Sequence, residues 1–296
     1  MFGKKSNKSF VLALCGGGGR GLAHLGVFEV LEENGLRPSA IVGTSIGALF
    51  GSMYALNPSI AEVRERLLRF LQSDEFHNFG LPSLKKGREA ANEDWLSRLT
   101  GAARQSVVYA KSMVHSSLLS GETLIQAAHA LCAHSSFDEA EIPMHVIAVR
   151  FPGGECHMFS HGNLCRPIAA SMAIPGVFEP IEIDGDEYVD GGMAAEIPAV
   201  EARYVAKPGE IVVAVNTGAR PDPNRKPTHV LAMVDWAMQV KSLYLRNYEK
   251  QHADLLIEPL VGYTQWMDFS RVDQEIEKGR EATLEKLPEL MRLIGA

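Results

Sequence analysis

Phe10-Val11-Leu12-Ala13-Leu14-Cys15-Gly16-Gly17-Gly18-Gly19-Arg20-Gly21 is the stretch on which the reading of this chain turns. Its first five residues are all apolar and then give way to glycine, the pattern of a short strand buried on both faces. Beyond the glycines, residues 22–34 carry apolar side chains at helical spacing (Leu22, Leu25, Val27, Val30, Leu31) and stop at Gly35, a natural helix terminator. Pro38 introduces a second apolar run, Ala40-Ile41-Val42, followed by a glycine turn and a helical pattern over 46–56. Strand, helix, strand, helix in this order predicts parallel strands joined by right-handed crossovers.

Farther along, apolar runs predict strands over 144–149, 182–189, 211–215 and 255–257, and periodicity predicts helices over 61–72, 123–133, 198–205 and 230–250. A charged helical tail spans 273–294 and is expected to pack outside. Residues 76–120 differ, with loop signals at Gly80, Pro82, Gly87 and Gly101 among short amphipathic pieces. They read either as an insertion able to cover a site or as a peripheral helical subdomain. The whole chain, 1–296, reads as one domain. Its motif-bearing part covers about 10–205, and a C-terminal strand and helices occupy 206–296.

Composition narrows the function classes. Apolar residues make up 46% and charged residues 22%, which fits a globular protein and excludes disordered or fibrous architectures. A net charge of −7 speaks against a general nucleic-acid binder, and it leaves any transient membrane-surface contact to a local patch. Cys15, Cys132, Cys156 and Cys165 lack CxxC spacing, so neither a metal site nor a disulfide framework is expected. The first nine residues are short, basic and polar, and no apolar run reaches the ~18 residues of a membrane span. The expectation is a soluble cytoplasmic protein without metal or cofactor.

Three motifs carry chemistry. The glycine run of 16–21 sits between a strand and a helix, where backbone N–H groups can converge on a phosphate or a developing oxyanion. It matches GxGxxG formally, through Gly16, Gly18 and Gly21, but the second strand ends in Gly43-Thr44-Ser45 without the acidic ribose ligand of a dinucleotide site. Gly43-Thr44-Ser45-Ile46-Gly47 is a GxSxG at a strand-to-helix turn, the context in which this motif exposes a nucleophilic serine. Asp190-Gly191-Gly192 follows a predicted strand. It reads as a hairpin turn or as a close-approaching base for Ser45, the latter only with Asp190 shielded from water.

These three motifs, in this order, resemble the patatin-like phospholipase family, in particular its small bacterial members. Residues 170–180, Ala170-Ser171-Met172-Ala173-Ile174-Pro175-Gly176-Val177-Phe178-Glu179-Pro180, look like the family's segment ahead of the aspartate. The resemblance implies a three-layer α/β/α fold with a mainly parallel central sheet. It implies a Ser45–Asp190 dyad supported by Gly43, Gly47, Gly191 and Gly192, and hydrolysis of lipid acyl esters. An oxyanion hole would be formed by Gly16, Gly17 and Gly18, centred on the last two and helped by Arg20. Two departures stand out: Cys15 replaces a frequent glycine, and Met193-Ala194-Ala195-Glu196 stands where many relatives carry asparagine. Two alternatives stay open. One is a Ser-Asp-His α/β-hydrolase using His229 or His252, His24 being read as a packing residue. The other is a non-catalytic regulatory or membrane-surface adaptor.

Overall fold

The computed structural model describes residues 9–78, 117–133, 135–262 and 266–295. The chain runs β1 (Phe10–Leu14), α1 (Ala23–Glu33), β2 (Ala40–Thr44), α2 (Ile46–Leu56), α3 (Ile60–Gln72), α4 (Asp74–Asn78) and α5 (Glu122–Cys132). It continues through β3 (Met144–Phe151), β4 (Cys156–Phe159), α6 (Cys165–Met172), β5 (Ile181–Ile183), β6 (Asp186–Asp190) and α7 (Ala199–Val205). Last come β7 (Ile211–Val215), α8 (Val230–Glu249), β8 (Leu255–Ile257) and α9 (Val272–Ile294). Of the expected insertion, residues 79–116 lie outside those described.

The strands form one mixed sheet in the hydrogen-bonded order β5-β6-β3-β2-β1-β7-β8, with β4 also on β3. Strands β3, β2, β1, β7 and β8 are parallel, and the β3–β4, β3–β6 and β5–β6 pairings are antiparallel. Alternation along the central strands feeds two cores. Phe10, Leu12, Leu14, Ile41, Val213 and Val215 pack on one face with Phe28 of α1, Phe50 of α2, Leu131 of α5, Ile168 of α6 and Ile276 of α9. Val11, Ala13, Val42, Val212 and Ala214 pack on the other with Ala199 and Ala202 of α7. Helices thus cover both faces, giving the three-layer α/β/α architecture that two-sided burial of the strands requires.

One departure from the sequence reading lies at 182–189. The run is not one strand but a hairpin, turning at Asp184 and Gly185, whose φ angles are +54° and +87°. An Asp-Gly pair with both residues at positive φ is the turn that suits the twist of two antiparallel strands.

Strand β3 decides where the motifs meet. Its eight residues are long enough to pair with β2 in parallel and then with β6 in antiparallel fashion. Thr44 registers with Ile147 and Asp190 with the next residue, Ala148. The ends of β2 and β6 therefore converge on one point of the sheet, although they are far apart in sequence.

Candidate active site

Ser45 follows the last residue of β2 and caps α2. Its φ is +54° and its ψ −123°, a conformation that L-residues rarely adopt and that a GxSxG turn requires. The flanking glycine makes room for the turn: a Cβ on Gly47 would stand 2.6 Å from the carbonyl oxygen of Cys15. The Ser45 N–H donates to the hydroxyl oxygen of buried Ser171 at 2.7 Å, so α6 holds the strained backbone from behind.

The Ser45 hydroxyl donates to Asp190 Oδ2 at 2.7 Å. The other carboxylate oxygen, Oδ1, accepts the Gly192 N–H at 2.7 Å, which fixes the rotamer. Asp190 is only 6% exposed. Burial pushes its pKa up from 3.8 to about 7, against the lowering effect of its two hydrogen bonds. The pair thus combines a hydroxyl on a strained turn with a carboxylate whose basicity is matched to neutral pH.

The glycine loop lies against the same turn. A Cβ placed on Gly16 would meet the Ser45 Cβ at 3.4 Å. Gly16 donates its N–H to the carbonyl of Glu196, and Gly19 donates to the carbonyl of Trp266. Gly17 and Gly18 remain as the members of the loop whose N–H groups find no backbone acceptor among the described residues. Gly18 sits at φ +59°, and a side chain there would collide with Trp266. Arg20 donates from Nε to the carbonyl of Thr217 at 3.2 Å, tying the loop to the end of β7. Behind it, the Cys15 sulfur accepts the Thr217 N–H at 2.8 Å, and burial raises this thiol's pKa to about 11. Cys15 is therefore a brace between β1 and β7 and stays a thiol.

A buried ionic cluster holds the other side of the loop. Glu196, whose carbonyl anchors Gly16, pairs through its carboxylate with Arg246 and Ser242 of α8. Arg246 also donates to the carbonyl of Ala219 at 2.5 Å. Glu249 accepts the N–H groups of Glu196 and Ile197 at 3.0 and 2.8 Å, and burial raises its pKa to about 8. The sequence alone marks Glu196 only as a departure from the family pattern and does not single out Ser171, Thr217, Ser242, Arg246 or Glu249. Of these only Ser171 lay in a quoted motif.

The histidines stand elsewhere. His24 is fully buried, its Nε2 is 2.9 Å from the Cys15 carbonyl, and burial lowers its pKa to about 4. His229 caps α8 through Nδ1, and the His252 ring lies against Tyr248. Among the described residues no histidine is hydrogen-bonded to Ser45 or Asp190.

Comparison with known proteins finds relatives in sequence and in structure. The chain is 28% identical over 220 residues to an uncharacterised NTE family protein of Mycobacterium tuberculosis, covering 74% of this chain and 52% of the relative. It is 26% identical over 217 residues to lysophospholipase NTE1 of Saccharomyces cerevisiae, covering 73% and 11% respectively. The chain thus spans about half the length of the mycobacterial relative and a small part of the yeast one. Among solved structures, VipD from Legionella pneumophila shares the fold, with a TM-score of 0.50 and 15% identity over 96% of this chain and 67% of that one. The patatin-like phospholipase family model matches residues 12–203, the span that holds the glycine loop, Ser45 and Asp190, and the chain belongs to that family.

Proposed function

We propose that this protein is a serine acyl hydrolase that cleaves carboxylic esters of lipids, of the phospholipase A or lysophospholipase type, through Ser45 and Asp190. The observation that carries the reading is the 2.7 Å hydrogen bond from Ser45 on its strained turn to the buried Asp190 carboxylate. Family membership and the likeness to a lysophospholipase support it.

In acylation, Ser45 Oγ attacks the ester carbonyl carbon while its proton passes to Asp190 Oδ2. The charge that develops on the carbonyl oxygen meets the N–H groups of Gly17 and Gly18 and the N-terminus of α2. Collapse of the tetrahedral intermediate breaks the bond to the alcohol, which takes the proton from Asp190. A water then gives its proton to Asp190 and attacks the acyl-Ser45 ester, releasing the fatty acid and restoring the serine. Glu196 and Arg246 hold Gly16, and Arg20 holds the loop to Thr217, so the donors are set before the substrate arrives.

A cytoplasmic setting belongs to the same reading. Cys132 is a buried free thiol, as a reducing compartment would leave it, and no helix among the described residues is long and apolar enough to cross a membrane. The decisive experiment combines labelling by a fluorophosphonate with hydrolysis of p-nitrophenyl esters, a lysophospholipid and a diacyl phospholipid. Ser45→Ala should lose both labelling and hydrolysis while remaining folded. A wild-type protein that neither labels nor hydrolyses any of these would make the chain a non-catalytic member of its family.

A further inference from the structure

Helix α8 is built with its polarity reversed. A surface helix ordinarily turns its apolar stripe to the core and its polar face to water. In α8, Ser242, Arg246 and Glu249 face inward, into the cluster around Glu196, and Arg246 and Glu249 are buried. Away from the cluster the helix carries Val230, Met233, Tyr244 and Tyr248, and Val234 and Met238 lie toward the margin of that face in the half of the helix exposed on every side. All are exposed, from 41% at Met238 to 78% at Val230, and exposed Trp236 flanks them.

The position of the stripe matters as much as its composition. The chain enters α8 from the end of β7, the sheet edge where Ser45 and the glycine loop lie, and leaves it toward the start of β8 at the opposite edge. Arg246 is level with the oxyanion loop through Glu196 and Gly16. At ~1.5 Å per residue, Val230 lies about 24 Å farther along the helix, so the first half of α8 overhangs the edge that carries the site. Leu260, just past β8 on that same edge, is 87% exposed.

Charge selects the occupant. The chain as a whole is acidic, at −7. The segment leading into α8 nevertheless exposes Arg220, Arg225 and Lys226 against a single acid, Asp222, while on the helix itself Lys241 is balanced by exposed Asp235, so residues 220–241 are net basic. Two copies of the chain meeting through this face would bring like charges together. A layer of anionic headgroups over acyl chains instead satisfies both features, since basic residues take the phosphates while Val, Met, Trp and Tyr side chains enter the interface.

We propose that the outward stripe of α8, with the basic segment before it and the Leu260 tip, docks the protein on an anionic phospholipid surface with the Ser45 edge facing the lipid. The role of the docked state, delivery of acyl esters to Ser45, rests on the function proposed above; the docking itself does not need it.

The test therefore uses Ser45→Ala protein for binding and Ser45 protein for turnover. Ser45→Ala protein should cosediment with phosphatidylcholine vesicles containing phosphatidylglycerol, and more weakly with pure phosphatidylcholine. Adding Val234→Glu and Met238→Glu should weaken that binding at least about tenfold. In the Ser45 background the same pair should slow hydrolysis of vesicle lipid to a similar degree and leave hydrolysis of a soluble short-chain ester within about twofold. Vesicle binding that is absent in the parent or unchanged in the variant overturns the proposal. So does light scattering that shows a parent dimer turned to monomer by the two substitutions, which would assign the stripe to a second copy. Vesicle binding that behaves as expected, in a protein whose Ser45 form hydrolyses nothing, would uphold docking and remove the hydrolase reading instead.

Discussion

Replacing Asp190 by Asn should make the folded protein more stable while it stops the reaction, and the gain should depend on pH. Burial raises the Asp190 pKa from 3.8 to about 7. In the folded state the carboxyl therefore keeps a proton that the unfolded chain releases between those two values. Stability falls as pH rises through this window, and above about 7 the full cost of holding a buried carboxylate is present. Some three pKa units at ~1.4 kcal/mol each place that cost at about 4 kcal/mol. Asn accepts the Gly192 N–H through Oδ1 and can donate to Ser45 Oγ through Nδ2, so the pocket is kept while the titration disappears. Urea unfolding of both proteins at a series of pH values reads the effect as the gap between their free energies. The gap should widen in favour of Asp190→Asn by about 4 kcal/mol from pH 4 to pH 8. Glu249, which also titrates with a raised pKa, is present in both and cancels. A gap that stays constant with pH would refute the argument that Asp190 is held in the fold as a base poised near neutrality.

The same carboxylate should shape the kinetics. It must be ionised to take the serine proton, so kcat/KM on a soluble ester should fall as pH drops through about 7, and this limb should persist in His229→Ala and His252→Ala; its loss in either variant would point to a histidine relay. Gly18→Ala puts a side chain against Trp266 at a φ suited to glycine and displaces one of the proposed oxyanion donors, so kcat should fall ~10²–10³-fold, and an unchanged kcat would take the loop out of the chemistry. Arg246→Met leaves the part-buried Glu196 carboxylate without its counter-charge and should cost about 2–4 kcal/mol in urea unfolding, much of it regained in Arg246→Met/Glu196→Gln; additive losses in the double variant would mean that the two residues are not coupled.

Much of the fold was legible because two-sided burial leaves a plain mark. The all-apolar runs of β1 and β7 could be read to the residue, as could the glycines that end β1. The Asp-Gly pairs show where such reading stops. Asp184-Gly185 and Asp190-Gly191 share local chemistry and lie six residues apart. The first is an exposed hairpin turn, and the second ends β6 with the aspartate buried against Ser45. What separates them is the register of β6 on β3, which no local pattern records. Glu196, Arg246 and Thr217 were illegible for the same reason, since each acts on residues tens to hundreds of positions away. The helical period of α8 was visible, but which of its faces turned inward was decided by the partner Glu196 rather than by its own sequence.

Strand β3 has a consequence for how such a protein can be rebuilt. Because Ser45 and Asp190 are brought together by neighbouring β3 residues, Ile147 and Ala148, their alignment is fixed by the pairing of β2 and β6 with this one strand and survives any change that keeps that pairing. A one-residue deletion inside β3 would do the opposite, displacing one partner strand by ~3.3 Å and turning alternate side chains to the wrong layer. Designers seeking altered substrate preference would thus keep β3 at its length and keep α2 in place, since α2 follows Ser45 directly and packs Phe50 into the core.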